Sequence, residues 1–158
     1  MAERDIRLLL DNIRSVHNVG SIFRTAETLG IRRIYCAGVT PLPIDRFGKP
    51  RKDFAKVALG AEGMIQWEFA LNASAVAKTL KEDGFKAIAL EQAAGSRDYK
   101  SIDPGQKCLI ILGAEVDGVS KDLLGLADEV AEIPLMGQKE SLNVSVAAGV
   151  FLYRMLDR

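Results

Sequence analysis

Apolar, β-branched runs alternate along this chain with segments whose apolar residues recur at helical spacing. Residues 6–10, 32–37, 65–69, 85–90, 107–112 and 129–135 read as strands. From Val19 the apolar positions 19, 22, 23, 26 and 29 form a helical stripe that Gly30 closes. Further helices are expected over 52–59, over 72–80 with closure near Gly84, near 120–127 and from 143 to 156. A loop containing Pro and Gly covers 39–50. Alternation of this kind predicts an α/β fold: a mainly parallel sheet with helices on both faces. No repeat, linker or low-complexity tract divides the chain, so residues 1–158 are expected to form one domain.

The last helix is apolar on almost every side, through Val144, Val146, Ala147, Ala148, Val150, Phe151, Leu152 and Met155. A helix without a polar face must be covered all round. One small core covers one side, with Val144, Ala148, Phe151 and Met155 together. Val146, Val150 and Leu152 lie elsewhere on the wheel, so a homodimer with this helix at its interface is expected.

Composition narrows the classes. The chain is 48% hydrophobic and 27% charged, with 21 basic and 21 acidic residues. That balance argues against a general nucleic-acid coat but leaves room for a local basic patch. Cys36 and Cys108 sit inside apolar runs without CxxC spacing and read as small buried hydrophobes of a reducing compartment. His17 is the only histidine, which argues against a histidine-based zinc site, and no metal is expected. The charged amino terminus lacks a signal-peptide core, and no apolar run approaches a membrane span, so a cytoplasmic location is expected.

Three segments stand where strand-like runs meet turns or helices, the places where open α/β folds bind ligands. In Asn18-Val-Gly-Ser-Ile-Phe-Arg24, Asn18 precedes the helical stripe and suits an N-cap or a site residue. Arg24 lies opposite Val19, Phe23 and Ala26, facing solvent, a cleft or a partner. Leu112-Gly-Ala-Glu-Val-Asp-Gly118 carries Glu115 on a glycine turn, as a turn carboxylate or a functional one, with Ser120 a candidate cap beyond it. It is neither GxGxxG nor a phosphate loop, so a dinucleotide or nucleoside triphosphate site is unsupported. Gly60-Ala-Glu62 repeats the triplet in a helical stretch. Ile133-Pro-Leu-Met-Gly137 ends a strand at a proline, and Ser141-Leu-Asn-Val-Ser145 opens the last helix. Free N–H groups at that helix start suit a carboxylate or a base edge, or Ser141 caps them.

The order and spacing of these segments resemble the SpoU (TrmH-like) branch of the SPOUT superfamily, RNA ribose 2′-O-methyltransferases that use S-adenosylmethionine. The resemblance runs from about Ile6 to Leu156, and Asn-x-Gly-x-x-x-Arg-x-Ala is the first motif. It implies a C-terminal trefoil knot that forms the cofactor pocket. Gly113, Ile133, Leu142 and, at the end of the preceding strand, Leu90 are then implied as cofactor contacts. Asn18, Arg24, Glu115, Ser141 and Asn143 are implied as the catalytic and RNA-positioning set. Val116 departs from the pattern, because many relatives carry a smaller residue there. The family acts on tRNA or rRNA, often with terminal extensions that are not evident in this sequence.

Recognition is therefore expected from the core surface or from the segment 45–56. That segment holds Arg46, Lys49, Arg51, Lys52 and Lys56 against two acidic residues, with Phe47 and Phe54 interleaved. Phosphate contacts plus a stacking ring would suit RNA, and a solvated loop is the alternative. The expected function is S-adenosylmethionine-dependent methylation of a ribose 2′-hydroxyl, with tRNA slightly preferred over rRNA. The alternatives are a catalytically inactive RNA-binding protein of the same fold and, less well supported, a generic nucleotide-binding module.

Overall fold

The computed structural model describes residues 3–156. In chain order they form β1 (Asp5–Asp11), α1 (Val16–Thr28), β2 (Arg33–Ala37), α2 (Lys52–Ala58), β3 (Gln66–Ala70), α3 (Ala73–Glu82) and β4 (Lys86–Leu90). Then come β5 (Arg97–Asp98), β6 (Lys107–Gly113), α4 (Lys121–Leu126), β7 (Glu129–Glu132) and α5 (Val144–Leu156). The seven strands make one sheet in the order β3-β2-β1-β6-β4-β7-β5, and every pairing is parallel.

Residue alternation on the strands builds two cores. Ile6, Leu8 and Leu10 of β1 face α1, α2 and α5, which contribute Phe23, Phe54 and Phe151. Leu9 points the other way, with Ala89, Leu109 and Ile111, toward α3 and α4. Because both faces are covered, the central strands are nearly uninterrupted apolar runs. The Phe23 and Phe54 rings meet edge-to-face at 5.1 Å and lock α2 to α1.

Helix α1 starts three residues earlier than its apolar stripe suggests. Ser15 is the cap, its Oγ accepting from the Asn18 N–H at 3.1 Å, so Asn18 lies in the first turn and is not the N-cap. Val16 of the first turn packs against the core, but the polar His17 and Asn18 that separate it from Val19 hide the start of the helix. At the other end, Gly30 (φ +74°) follows the last turn. Its N–H donates to Glu27 O and the Ile31 N–H to Ala26 O, closing the helix by a left-handed residue. Strand β7 stops at Glu132 rather than running to 135, since Pro134 has no N–H for the ladder. The two-residue β5 is too short to leave a periodic signal. Gly60-Ala-Glu62 falls in a 3₁₀ turn, not an α-helix. Leu152 of α5 is buried with Ala148, Phe151 and Met155, which removes it from the outward face; Val146 and Val150 stay exposed.

Cys36 and Cys108 are buried and free. Their β1 partners, Leu10 and Ile6, are four residues apart, about 13 Å along the strand, too far for a disulfide. Burial pushes both thiols up to about 12, so the reactive thiolate is suppressed at neutral pH. Neither thiol should react with an aromatic disulfide reagent at pH 8 while the protein is folded, and both should react at once in denaturant. A fast-reacting thiol in the native protein would contradict this packing.

Candidate functional site

The carboxyl ends of β1, β6, β4 and β7 meet where the connections change direction across the sheet, β1 leading toward β2 on one side and β4 lying on the other. A ligand crevice is expected at such a point. A cleft of about 560 Å³ opens there, lined by Leu90, Gly113, Glu115, Ile133, Ser141 and Leu142 among others. The structure thus brings two of the three sequence segments, and the end of β4, to one place.

Chain conformation makes the cleft floor. Past Gly113 the backbone turns back on itself: Ala114 N–H donates to Gly118 O at 3.2 Å and Gly118 N–H to Ala114 O at 2.9 Å. A Cβ on Gly113 would collide with the backbone of Gly118 and Val119. The glycine is needed for the protein's own turn, so Gly113→Val would break the turn before it touched ligand space. Gly118 has φ +67° and would drive a Cβ into the Glu91 carboxylate. Val116 is 94% exposed, so its extra bulk meets solvent.

Two carboxylates, neither conspicuous in the sequence, clasp this turn from the neighbouring strands. Glu91, just past β4, accepts from Val119 N–H at 2.8 Å through Oε2 and from Gln92 N–H at 2.9 Å through Oε1. Asp11, at the end of β1 and 4% exposed, accepts from Ser120 N–H at 2.9 Å. Ser120 stands at the N-cap position of α4 but makes no side-chain cap bond. The available signal was positional: each carboxylate ends an apolar run, where a charge needs a reason.

Asn18 joins the remaining segments. Its carboxamide is buried, 7% exposed, at the start of α1. Nδ2 donates to Glu115 Oε1 at 2.8 Å, and Oδ1 accepts from Asn143 Nδ2 at 3.2 Å. Asn143 Oδ1 in turn accepts from Ser145 N–H at 2.9 Å and Val146 N–H at 3.4 Å. Asn143, not Ser141, therefore caps α5, and the free helix N-terminus expected there is already occupied. Ser141 is exposed on the cleft wall.

Arg24 is not brought to this cleft within one chain. It is exposed and lines a separate groove with His17, Thr25, Thr28, Lys56 and Tyr153, between α1, α2 and α5. The basic segment divides. Arg46, Lys49 and Lys52 are exposed, while Lys56 belongs to the Arg24 groove. Arg51 is held by Asp53 at 2.8 Å, and that pairing raises the guanidinium pKa and lowers that of the carboxyl. Phe54 is fully buried, so only Phe47 is available as a stacking ring.

The cleft's composition fits S-adenosylmethionine. Leu90, Leu112, Leu135, Leu142 and Val144 offer apolar surface for a purine. Glu91, Glu115, Asp117, Glu132 and Glu140 oppose one cation, Lys121. An excess of carboxylates suits a ligand carrying sulfonium and ammonium charges, and Lys121 suits its carboxylate. The same excess disfavours a phosphorylated nucleotide. Among the described residues no group of three or more His, Cys, Asp or Glu side chains is arranged to hold a metal ion, and no helix is long and apolar enough to cross a membrane.

Comparison with known proteins agrees with this geometry. Residues 5–153 match the SpoU rRNA Methylase family. The chain is 32% identical over 149 residues to the tRNA (guanosine(18)-2′-O)-methyltransferase of Thermus thermophilus, covering 94% of this chain and 73% of that protein. It is 29% identical to the Escherichia coli enzyme of the same name, over 94% of this chain and 62% of that one. It superposes with a TM-score of 0.85 on the Aquifex aeolicus TrmH/SpoU tRNA modifying enzyme, at 26% identity over 98% of this chain and 75% of that chain. The AdoMet-bound rRNA methyltransferase of Sinorhizobium meliloti superposes at 0.87, with 28% identity over 98% of this chain and 56% of that chain. With its motif residues converging at the carboxyl edge of a parallel sheet, the chain belongs to the SpoU rRNA methylase family.

Proposed function

We propose that this domain transfers a methyl group from S-adenosylmethionine to a ribose 2′-hydroxyl of structured RNA, tRNA before rRNA, and does so as a homodimer. The observation that carries the reading is the convergence of Gly113, Ile133, Ser141 and Leu142 on one carboxylate-rich cleft, with Asn18 bonded to both Glu115 and Asn143 beside it. The likeness to relatives named as tRNA 2′-O-methyltransferases supports the choice of acceptor. The trefoil knot belongs to the same proposal, as does a role for the single domain in both cofactor binding and chemistry.

When bound, S-adenosylmethionine supplies a methyl group on a sulfonium, already a good leaving group. The protein's task is then alignment and removal of the hydroxyl proton. Leu90, Gly113, Ile133 and Leu142 would hold the cofactor. Asn18 bridges Glu115 and Asn143, which makes the three positioning groups that fix the turn against α5. Ser141 would orient the ribose from the cleft wall. A guanidinium is a poor base, so Arg24 is not the proton acceptor. Its part is to stabilise the developing alkoxide and grip the adjacent phosphate, with the proton leaving to that phosphate or to water.

Dimerisation supplies what one chain lacks. Val146, Val150 and Tyr153 form an exposed stripe on α5, 51%, 40% and 54% accessible, and Tyr153 also lines the groove of Arg24. A second subunit on this face would cover the stripe and bring Arg24 toward the partner's cleft. The catalytically inactive alternative has no observation in its favour.

Incubation with methyl-labelled S-adenosylmethionine and unfractionated tRNA should yield label in alkali-resistant dinucleotides, the mark of a 2′-O-methyl group. Label in bases or no label at all would refute the activity. Arg24→Ala should lower turnover at least about 100-fold while thermal melting and cofactor affinity hold, because the side chain fills no core space. Arg24→Lys should also be poor, since an ammonium lacks the planar fork that holds phosphate. Near-normal turnover of either variant would remove Arg24 from the mechanism. Val150→Asp should convert a two-chain species to single chains in sedimentation velocity and abolish activity. A wild-type monomer at micromolar concentration would overturn the dimer. Mixed dimers of Arg24→Ala chains with cofactor-cleft variants should regain activity if Arg24 serves the neighbouring site.

A further inference from the structure

The tip of the segment between β2 and α2 carries a feature the chemistry above does not use. Phe47 is 73% exposed, whereas Phe54, the other ring of the segment, is wholly buried against Phe23. The tip is tightly bonded. Ile44 and Pro50 form a bridge across its base, and Arg51 N–H donates to Pro43 O at 2.9 Å. Asp45 Oδ1 accepts from the N–H groups of both Phe47 (2.8 Å) and Lys49 (3.0 Å). Asp45 N–H donates to Lys49 O at 2.8 Å, and Gly48, at φ +79°, donates to Asp45 O at 3.0 Å. An aromatic ring is thus held out into water by a backbone whose ordering cost has already been met in folding, which is how a recognition ring gains affinity.

Charge around the ring says what it meets. The Arg46 guanidinium stands over the Phe47 ring, 4.8 Å from its centroid. Lys49 and Lys52 are exposed nearby, while Asp53 is taken by Arg51 and one oxygen of Asp45 by the loop backbone. The surface therefore offers a π-face beside cations, which complements a base attached to a phosphodiester. A paired base inside a helix has no face to offer, whereas an unpaired one does.

We infer that Phe47 is a stacking platform for an unpaired nucleobase of the RNA substrate, fixed by Asp45 and flanked by Arg46 and Lys49 as phosphate contacts. The inference rests on the RNA methyl-transfer reading and gives it a recognition element outside the cofactor cleft.

Affinity for unfractionated tRNA, measured by filter binding at several salt concentrations, tests it. Phe47→Ala should weaken binding about 5- to 150-fold, the range for loss of one base stack, with the salt slope unchanged. Phe47→Trp should bind within about twofold of wild type, and its added tryptophan emission should be quenched by RNA. Phe47→Leu, apolar without a π-face, should bind as poorly as alanine. Lys49→Ala should instead reduce the salt slope by about one. The inference is overturned if Phe47→Ala binds like wild type, or if leucine restores binding as well as tryptophan. It is also overturned if sedimentation shows that Phe47→Ala loses the dimer, which would make the ring a subunit contact. If wild-type protein methylates tRNA and Phe47→Ala binds it equally well, this inference alone fails. If wild type neither binds nor methylates RNA, the reading beneath it fails too.

Discussion

The buried carboxamide of Asn18 ties together segments that are far apart in the chain. One end of it holds Glu115 on the turn after β6, and the other holds Asn143 at the start of α5. A carboxamide donates to a carboxylate through its Nδ2 and accepts from another amide through its Oδ1 at once. Aspartate could not donate to Glu115, and a serine would not reach both. Its place in the first turn of α1, set by the Ser15 cap, fixes this hub to the core through Val19, Ile22 and Phe23. The turn after β6 and the final helix are thereby referred to one rigid element.

The turn itself is held by opposing demands. Gly113 and Gly118 allow the backbone to fold closely on itself, and that freedom would leave it loose without Glu91 and Asp11. Each carboxylate accepts from a backbone N–H, a charge-assisted bond stronger than its neutral equivalent. The result is a preorganised rim on a sheet whose central strands are covered on both faces. The remaining freedom lies at the outer face of α1 and α5, where Arg24 and the Val146–Val150–Tyr153 stripe are left exposed.

Much of the fold was legible because buried parallel strands leave continuous apolar runs and their helices leave stripes. The failures have physical reasons. In the first turn of α1 the polar His17 and Asn18 interrupt the apolar positions, β5 has no period, and Pro134 cuts β7 short. Leu152 could not be assigned to the core, because a wheel does not say which side of an all-apolar helix the sheet takes. In the site, the residues at strand ends were visible through glycine and proline punctuation. Glu91 and Asp11 were not, because a lone carboxylate carries no spacing signal. The role of Asn143 as the cap of α5 was also hidden, since Ser141 and Asn143 have similar capping chemistry.

The central claim is that the Asn18 bridge preorganises the cofactor site, and calorimetric titration with S-adenosylhomocysteine addresses it most directly. Wild-type protein should bind one equivalent per chain. Asn18→Ala removes a charge-assisted bond and an amide pair and should weaken that binding about 10- to 100-fold, with the cooperative melt retained. Equal affinity in the two proteins would contradict the account.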